Sequence, residues 1–270
     1  MELTEINERY VTEIGLMPLS KTSMHHYKLA FDKFIHENNR IYRLSELELK
    51  QYFCNFRQRY SDSYYNVICS AVKILYERVL KQPNKMLWFK PIQTEKKFKN
   101  IITFGEFVIM MKATDNLKHK TFIITLFSTG IRIGELLTIK LSDINFNDKR
   151  IFINTEKGGK NGYVQLHETT EKYIRAYIKK YNPGTYLFEG QRGGQYSKTS
   201  IRKTLDRVSS GLGKNIYPHL FRTSYITKVI EKENVFKAQE MARHKCLKST
   251  LHYYHISKEQ LAQMYNPLDN

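Results

Sequence analysis

This sequence contains little cysteine and no long apolar run, and each of these absences argues against a class of protein. Its three cysteines, Cys54, Cys69 and Cys246, cannot all pair and show no spacing typical of a metal site, which favours a reducing compartment. No apolar stretch approaches the length of a membrane-spanning helix, and the acidic N-terminus contains no hydrophobic signal stretch. We therefore expect a cytoplasmic protein with no membrane partner.

Acidic residues are also scarce, since 26 Asp and Glu stand against 44 Lys and Arg, for a formal net charge of +18. A surplus of this size indicates a polyanionic partner, with nucleic acid as the first candidate, although a surface that is simply lysine-rich has the same composition. Residues 93–270 hold 30 of the basic and 16 of the acidic residues. The excess charge therefore lies mainly in the C-terminal two thirds.

Proline is rare, and two of the six prolines, Pro83 and Pro91, mark a change in the sequence pattern. Before them the chain shows apolar residues at helical spacing and no internal repeat. Helices are predicted at 23–38, 45–59 and 66–80, the last with a cap at Asp62 or Ser63. We expect an all-α domain over 1–90, a basic linker over 91–100 and a second domain over 101–270.

The linker contains Lys96, Lys97 and Lys99, which, together with Lys160 in the second domain, are candidates for contact with DNA phosphates. The alternative is that the charge run in the linker is simply a solvated segment, which is the commoner case.

The second domain mixes helices with short strands. Strands are predicted at 144–146, 151–154 and 163–166, joined by the turns Asn147-Asp148 and Gly158-Gly159. Helices are predicted at 103–114, 116–129, 133–139, 168–181, 198–210, 219–232, 235–243 and 247–256. The predicted fold class is therefore mainly α with a small three-stranded antiparallel sheet.

Two arginines in this domain have spacings that suit the binding of a phosphate. Arg132 presents a planar fork that matches two phosphate oxygens, and Glu135, one helical turn further, is placed to orient it. His219 and Arg222 are three residues apart on one face of a helix that begins at Pro218, where the helix dipole favours an anion. Taken alone, an Arg–Glu pair of this kind is usually a surface ion pair.

A lysine and a tyrosine add the means to break and form a phosphodiester. Lys157 lies in a Gly-rich turn, where a lysine can protonate a leaving oxygen if nearby cations lower its pKa, and Lys160 is the alternative. Tyr253 follows His244 by nine residues, with a helix break expected between them, and Tyr254 is the neighbouring alternative. Tyrosine, with a pKa of about 10, becomes a useful nucleophile when cations stabilise the phenolate and the developing charge.

Metal chemistry has little support in the sequence. A two-metal nuclease needs clustered carboxylates, whereas Asp143 and Asp148 occupy turn-like positions. His244, His252 and His255 do not match a usual zinc spacing, and no cysteine joins them. We expect no metal and no cofactor.

Together these segments resemble the tyrosine recombinases, meaning the phage integrases and Xer-type resolvases, over essentially the whole chain. The matching segments are Thr129-Gly-Ile-Arg132-Ile-Gly-Glu135, Glu156-Lys157-Gly-Gly-Lys160, His219-Leu-Phe-Arg222 and His244 followed by Tyr253. The resemblance implies that Arg132 and Arg222 bind the scissile phosphate and that His219 and His244 hydrogen-bond it or move protons. It also implies that Lys157 protonates the 5′-oxygen while Tyr253 forms a 3′-phosphotyrosyl bond.

The same resemblance implies a site-specific recombinase that clamps double-stranded DNA between an all-α core-binding domain and an α+β catalytic domain. The expected assembly is a homo-tetramer on two sites or a hetero-tetramer with a related recombinase, and residues 258–270 either dock on a neighbouring protomer or pack on their own domain. A type IB topoisomerase-like strand transferase and a non-catalytic DNA-binding regulator remain alternatives.

The chain departs from the family pattern at two positions. Arg243 precedes His244 where the family usually has glycine, and Thr223 follows Arg222 where it often has histidine. The chemistry described above does not require the family's usual residue at either position. We expect both differences to alter the properties of the site.

Overall fold

The computed structural model describes residues 2–38, 40–93, 101–155, 160–190, 193–251 and 253–254. The chain divides into two compact units, Met1–Lys97 and Phe98–Asn270. The boundary falls inside the segment predicted to be the linker, of which 94–100 lie outside the described residues. Among the described residues, no helix combines the length and the apolar character needed to cross a membrane.

The N-terminal unit is helical, and serines cap three of its α-helices. Its α-helices are α1 (Leu3–Leu16), α2 (Lys21–Glu37), α3 (Glu46–Arg59) and α4 (Asp62–Ile74). Ser20, Ser45 and Ser61 each accept a backbone N–H from the first turn of the following helix, which satisfies a donor that the helix itself leaves unpaired. The cap of α4 is therefore Ser61 rather than Asp62 or Ser63, and after Ile74 the helix continues as a π-helical turn.

Tyrosines help to close the core of this unit. The ring of Tyr10 stacks on Phe31 with a centroid separation of 4.0 Å, and its hydroxyl donates to the carbonyl of Ala71 at 3.1 Å. The hydroxyl of Tyr76 donates to the carbonyl of Ile41 at 2.6 Å. Buried phenols need such partners, so these tyrosines have a structural explanation and are not candidates for chemistry.

The C-terminal unit surrounds a small sheet with helices. Its α-helices are α5 (Phe104–Lys112), α6 (Leu117–Thr129), α7 (Ile133–Thr138), α8 (Glu168–Tyr181), α9 (Lys198–Val208), α10 (Pro218–Lys232), α11 (Val235–Met241) and α12 (Lys248–Leu251). The strands β1 (Ile144–Asn145), β2 (Arg150–Ile153) and β3 (Gly162–Gln165) pair antiparallel in the order β1-β2-β3. This agrees with the fold class predicted from the sequence.

Helix α6 forms the centre of this unit and packs against α8 and α10. Its threonines are buried without loss of hydrogen bonding, because each hydroxyl bonds to the carbonyl four residues earlier. The helix ends at Gly130, which has a φ of 60°. A Cβ there would lie 2.4 Å from the ring of Tyr225, so only glycine fits this turn, and the turn leads directly into Arg132.

The last helices are shorter than the sequence predicted. Helix α11 ends at Met241 rather than 243, and Arg243 has a φ of 55°, a left-handed conformation that cannot continue a helix. Helix α12 ends at Leu251 rather than 256, and Tyr253 lies in a turn, where its N–H donates to the carbonyl of Thr250 at 2.9 Å.

Candidate active site

Arg132 lies at the N-terminal boundary of α7, where Glu135 holds both its backbone and its side chain. The Arg132 N–H donates to Oε2 of Glu135 at 2.9 Å, and Nη1 of Arg132 donates to Oε1 at 2.7 Å. The guanidinium itself is partly exposed. Glu135 therefore fixes the arginine while leaving part of its fork accessible to a ligand.

The carboxylate of Glu135 also joins two other segments to α7. Nη2 of Arg243, from the loop after α11, contacts Oε2 at 2.7 Å. The hydroxyl of Thr155, which follows β2, lies 3.5 Å from Oε1. One buried carboxylate thus connects three segments that are far apart in the sequence.

Glu135 stays ionised despite its position in the interior. Burial alone would raise the pKa of its carboxyl, but the backbone N–H of Arg132 and the charges of Arg243 and Arg132 outweigh this effect and lower the pKa. A permanent negative charge is what allows it to hold two guanidinium groups at once.

Arg222 is the most deeply buried cation of the site, with 1% of its surface exposed. Nη1 donates to the carbonyl of Gly130 at 2.9 Å, and Nη2 donates to the carbonyl of Ala242. Burial and the charge of Arg132 lower the pKa of Arg222 to about 10, so the side chain remains protonated at neutral pH. Its position is set by the turns that precede Arg132 and Arg243.

His244 is buried beside these arginines. Its Nδ1 lies 2.8 Å from the hydroxyl of Thr250, and its ring stacks near that of Tyr253 with a centroid separation of 6.3 Å. Burial, followed by the charges of Arg222 and Arg132, lowers the pKa of His244 to about 4. The imidazole is therefore neutral at physiological pH.

Tyr253 lies among these groups with 8% of its surface exposed. Its hydroxyl is 3.4 Å from Nε2 of His219, in the first turn of α10. Burial raises the pKa of Tyr253, while Arg222, Arg132 and a hydrogen bond with Thr223 act in the opposite direction. The phenol is therefore protonated at rest, next to groups that stabilise its anion.

The neighbouring alternatives have different environments. Tyr254 is 44% exposed. Lys160 is exposed, and the hydrogen bonds described for it are made by its main chain, which donates to Arg243 at 3.4 Å and accepts from Thr155 at 3.3 Å.

Several predicted residues lie outside the described part of the chain. They are Lys157, in 156–159, and Lys96, Lys97 and Lys99, in 94–100. The predicted docking tail, 258–270, lies outside it as well.

Within the described segments, no group of three or more His, Cys, Asp or Glu side chains is arranged to hold a metal ion. Asp143 accepts the backbone N–H of Lys140 at 2.8 Å, which closes a short turn. Asp148 pairs with Arg150 and accepts from the Asn145 amide at 2.9 Å. Both carboxylates have local structural partners.

Three features of the site have no direct signal in the sequence. They are the ion pair between Arg243 and Glu135, the contact of Thr250 with His244, and the two carbonyls that hold Arg222. Arg243 could have been singled out only as a departure from the family's glycine. A sequence offers no sign of the carbonyls, because every residue has one.

The low pKa of His244 predicts a specific dependence of stability on pH. An unfolded histidine takes up a proton near its ordinary pKa of 6.5, whereas folded His244 does so near 4, so the unfolded state binds more protons between these values. The free energy of unfolding should therefore fall as the pH is lowered through this window, by about 2 kcal/mol at pH 5 from this residue alone.

Urea unfolding at pH 7.5 and at pH 5, with wild type and His244→Gln, measures this loss of stability. We expect the variant to lose less stability on acidification, because glutamine has no proton to take up. An equal loss in both proteins would mean that His244 titrates normally in the folded state.

The sequence matches the model of the phage integrase family over residues 95–260, which is more than half of the chain. It is 24% identical to tyrosine recombinase XerA of Pyrococcus horikoshii over 96% of this chain and 92% of that protein. It is 29% identical to tyrosine recombinase XerD of Staphylococcus saprophyticus over 64% of this chain, and that match spans 63% of the XerD protein.

Similarity extends to solved structures. A lambda integrase tetramer bound to a Holliday junction superimposes with a TM-score of 0.78 at 14% identity, covering 94% of this chain and 78% of that one. This likeness establishes a common fold. The match to the family model over more than half of the sequence shows that the chain belongs to the phage integrase family of tyrosine recombinases.

Proposed function

We propose that the chain is a site-specific DNA recombinase in which Tyr253 attacks a phosphodiester. The Oη–phosphorus bond forms as the bond from phosphorus to the 5′-oxygen breaks, which leaves a 3′-phosphotyrosyl link and a free 5′-hydroxyl. The observation that carries the proposal is the position of the Tyr253 hydroxyl, 3.4 Å from His219 and within the influence of Arg222 and Arg132. This is the environment that a phenol needs in order to act as a nucleophile.

The two arginines supply the binding site for the scissile phosphate. Arg222 has five N–H donors, of which its contacts with Gly130 and Ala242 use two, so three remain for the phosphate oxygens. Arg132 is partly exposed and held by Glu135. Because Arg222 is buried, its charge acts in a medium of low dielectric and stabilises the extra negative charge of the transition state strongly.

His219 is placed to take the proton that Tyr253 loses on attack. Its Nε2 already lies near the hydroxyl, and its position in the first turn of α10 leaves it open to solvent. The leaving 5′-oxygen must gain a proton in the same step. We assign this role to Lys157 by resemblance to the family.

His244 acts as a neutral hydrogen-bond donor rather than as a cation. With its pKa lowered to about 4, the ring carries one proton at neutral pH. If the Thr250 hydroxyl donates a hydrogen bond to Nδ1, the ring proton lies on Nε2. The Nε2–H group can then donate a hydrogen bond to a phosphate oxygen. Thr250 would then set the tautomer of the catalytic imidazole.

Rejoining is the reverse reaction with a different strand. A 5′-hydroxyl from the partner strand attacks the phosphotyrosyl phosphorus and releases Tyr253. The energy of the broken phosphodiester is kept in the covalent link, so the reaction needs no nucleotide and no cofactor.

We infer that the active assembly is a homo-tetramer on two DNA sites, or a hetero-tetramer with a related recombinase. The tetrameric lambda integrase on a Holliday junction supports this arrangement.

In this proposal residues 1–90 form the core-type DNA-binding domain, residues 91–100 the basic linker and residues 101–270 the catalytic domain. Lys96, Lys97, Lys99 and Lys160 remain candidate contacts with the DNA backbone.

The direct test is trapping of the covalent intermediate. DNA bound by the protein is selected from a random pool, and the selected site is prepared with a nick beside the cleavage position, so that the released fragment diffuses away. We expect a covalent adduct with wild-type protein, and mass spectrometry of the digested adduct should place the nucleotide on Tyr253. Firm binding with no adduct would leave the DNA-binding regulator as the better account.

A further inference from the structure

We propose that Arg243 is a positioning residue of the strand-transfer site, which acts by holding the Glu135 carboxylate that in turn holds Arg132. Nη2 of Arg243 and the backbone N–H of Arg132 bind the same oxygen, Oε2, at 2.7 and 2.9 Å. The other oxygen accepts Nη1 of Arg132 at 2.7 Å. Arg243 therefore fixes the carboxylate from a second segment of the chain. This inference rests on the proposed function.

The conformation of Arg243 argues against a role in stability alone. Its φ of 55° lies in the left-handed region, which residues other than glycine rarely adopt. Only 5% of its surface is exposed, and its Nε and Nη1 are buried with no hydrogen-bond partner among the described residues. Strain, burial of charge and unpaired donors all oppose folding, and a buried ion pair offsets little of this.

Backbone strain of this kind persists where the surrounding structure requires it, and it is concentrated at functional sites. Here the surroundings include the other guanidinium groups of the site. Arg243 influences the pKa of both Arg222 and His244, so its charge is felt at the groups proposed to bind phosphate. Its placement thus has a consequence for the reaction that a surface arginine would not have.

Arg243 also contacts the connection between β2 and β3. Its carbonyl accepts the N–H of Lys160 at 3.4 Å, and a Cβ on Gly162 would lie 3.3 Å from Cδ of Arg243. At the other end of the connection, the hydroxyl of Thr155 lies 3.5 Å from Glu135. The main-chain carbonyl of Arg243 and the carboxylate of Glu135 therefore contact the described residues on either side of this connection, Lys160 and Thr155.

The test measures single-turnover cleavage of the nicked substrate at saturating DNA, with the dissociation constant for DNA measured separately. Arg243→Gly restores the residue suited to the backbone and removes the charge. We expect it to cleave about 100-fold more slowly, because a small displacement of a binding group is enough for such a loss. DNA affinity should be nearly unchanged, and Arg243→Lys should recover part of the rate. A role confined to folding would not produce this separation of rate from affinity.

Glu135→Gln provides the second arm of the experiment. If Arg243 acts through Glu135, then Glu135→Gln combined with Arg243→Gly should cleave no more slowly than Glu135→Gln alone. Rate losses that multiply in the double variant would overturn the proposal, as would a wild-type cleavage rate in Arg243→Gly. The matched control is Lys245→Gly, which removes an exposed charge two residues away.

Two further controls keep the outcome interpretable. Arg243→Asn also tolerates a positive φ and carries no charge, so it replaces the glycine variant if that variant fails to fold. Wild-type protein is run in the same assay. If wild type forms no adduct, the proposed function fails, whereas if wild type and Arg243→Gly cleave equally, only the role of Arg243 fails.

Discussion

Replacing Tyr253 with phenylalanine removes the covalent protein–DNA adduct completely, while the same change at Tyr254 leaves it intact. Phenylalanine lacks the oxygen that attacks phosphorus, and a phenyl ring has no substitute for it. DNA binding should survive, because the cations proposed to hold the phosphate are unchanged. The expected result is thus a protein that binds its site and never cuts it.

The two tyrosines are a matched pair in which only the surroundings differ. Tyr253 has 8% of its surface exposed and lies beside His219, whereas Tyr254 is 44% exposed. The phenylalanine ring fills the volume of Tyr253, so the fold should be kept with the loss of only the hydroxyl contacts. Gel separation of the denatured adduct measures cleavage, and a binding titration measures DNA affinity independently of it. An adduct that persists in Tyr253→Phe and disappears in Tyr254→Phe would identify Tyr254 as the nucleophile.

Local spacing made several features of the site predictable from the sequence. Arg132 and Glu135 are three residues apart, and His219 and Arg222 are likewise three apart on α10. Helical spacing puts His219 and Arg222 on one face of α10, whereas Arg132 caps α7 and meets Glu135 through a capping box in the first turn. Pro218 also begins α10 as predicted, because its fixed φ suits the first helical position.

Contacts between distant segments could not be predicted in this way. Arg243 and Glu135 are separated by 108 positions, and nothing in either segment indicates the other. Without its partner, Arg243 stands out in the sequence only as an unusual residue before His244. The positive φ of Arg243 cannot be read from the sequence, because arginine is ordinarily a good helix former and does not indicate a left-handed conformation.

The helix predicted at 247–256 is present as α12 but ends at Leu251, and the reason is again tertiary contact. The residues around Tyr253 have helical spacing, yet α12 ends at Leu251 and Tyr253 lies in a turn. Thr250 is fully buried against His244, and Tyr253 is buried near His219. These tertiary contacts outweigh the weak preference of a short segment for helix, and they place the tyrosine in the site.

Replacing Arg222 with alanine should have the second largest effect on cleavage. We expect the rate at saturating DNA to fall about 1,000-fold, the loss typical when a preorganised electrostatic group is removed from a buried site. Arg222 is 1% exposed and its fork is aligned by the carbonyls of Gly130 and Ala242. Water that enters the vacated space would stabilise the developing negative charge on the phosphate far less than the guanidinium does, because water dipoles are not oriented in advance.

The same change should also affect stability. The carbonyls of Gly130 and Ala242 lose their guanidinium donor in Arg222→Ala, and each of them that the entering water does not hydrogen-bond costs about 1–3 kcal/mol. Relief from burying a charge acts in the other direction. Urea unfolding separates this effect from the loss of cleavage, which is measured at a temperature where the variant is fully folded.

Arg222→Lys shows whether charge alone is sufficient. Lysine keeps the positive charge but has no planar fork, so it cannot bind both carbonyls and a phosphate oxygen in the geometry of arginine. We expect a cleavage rate well below that of wild type and above that of the alanine variant. Lys228→Gln, which removes an exposed charge from the same helix, serves as the control and should cleave normally. Wild-type cleavage by Arg222→Lys would show that the site needs only a charge at this position, and wild-type cleavage by Arg222→Ala would remove Arg222 from the mechanism.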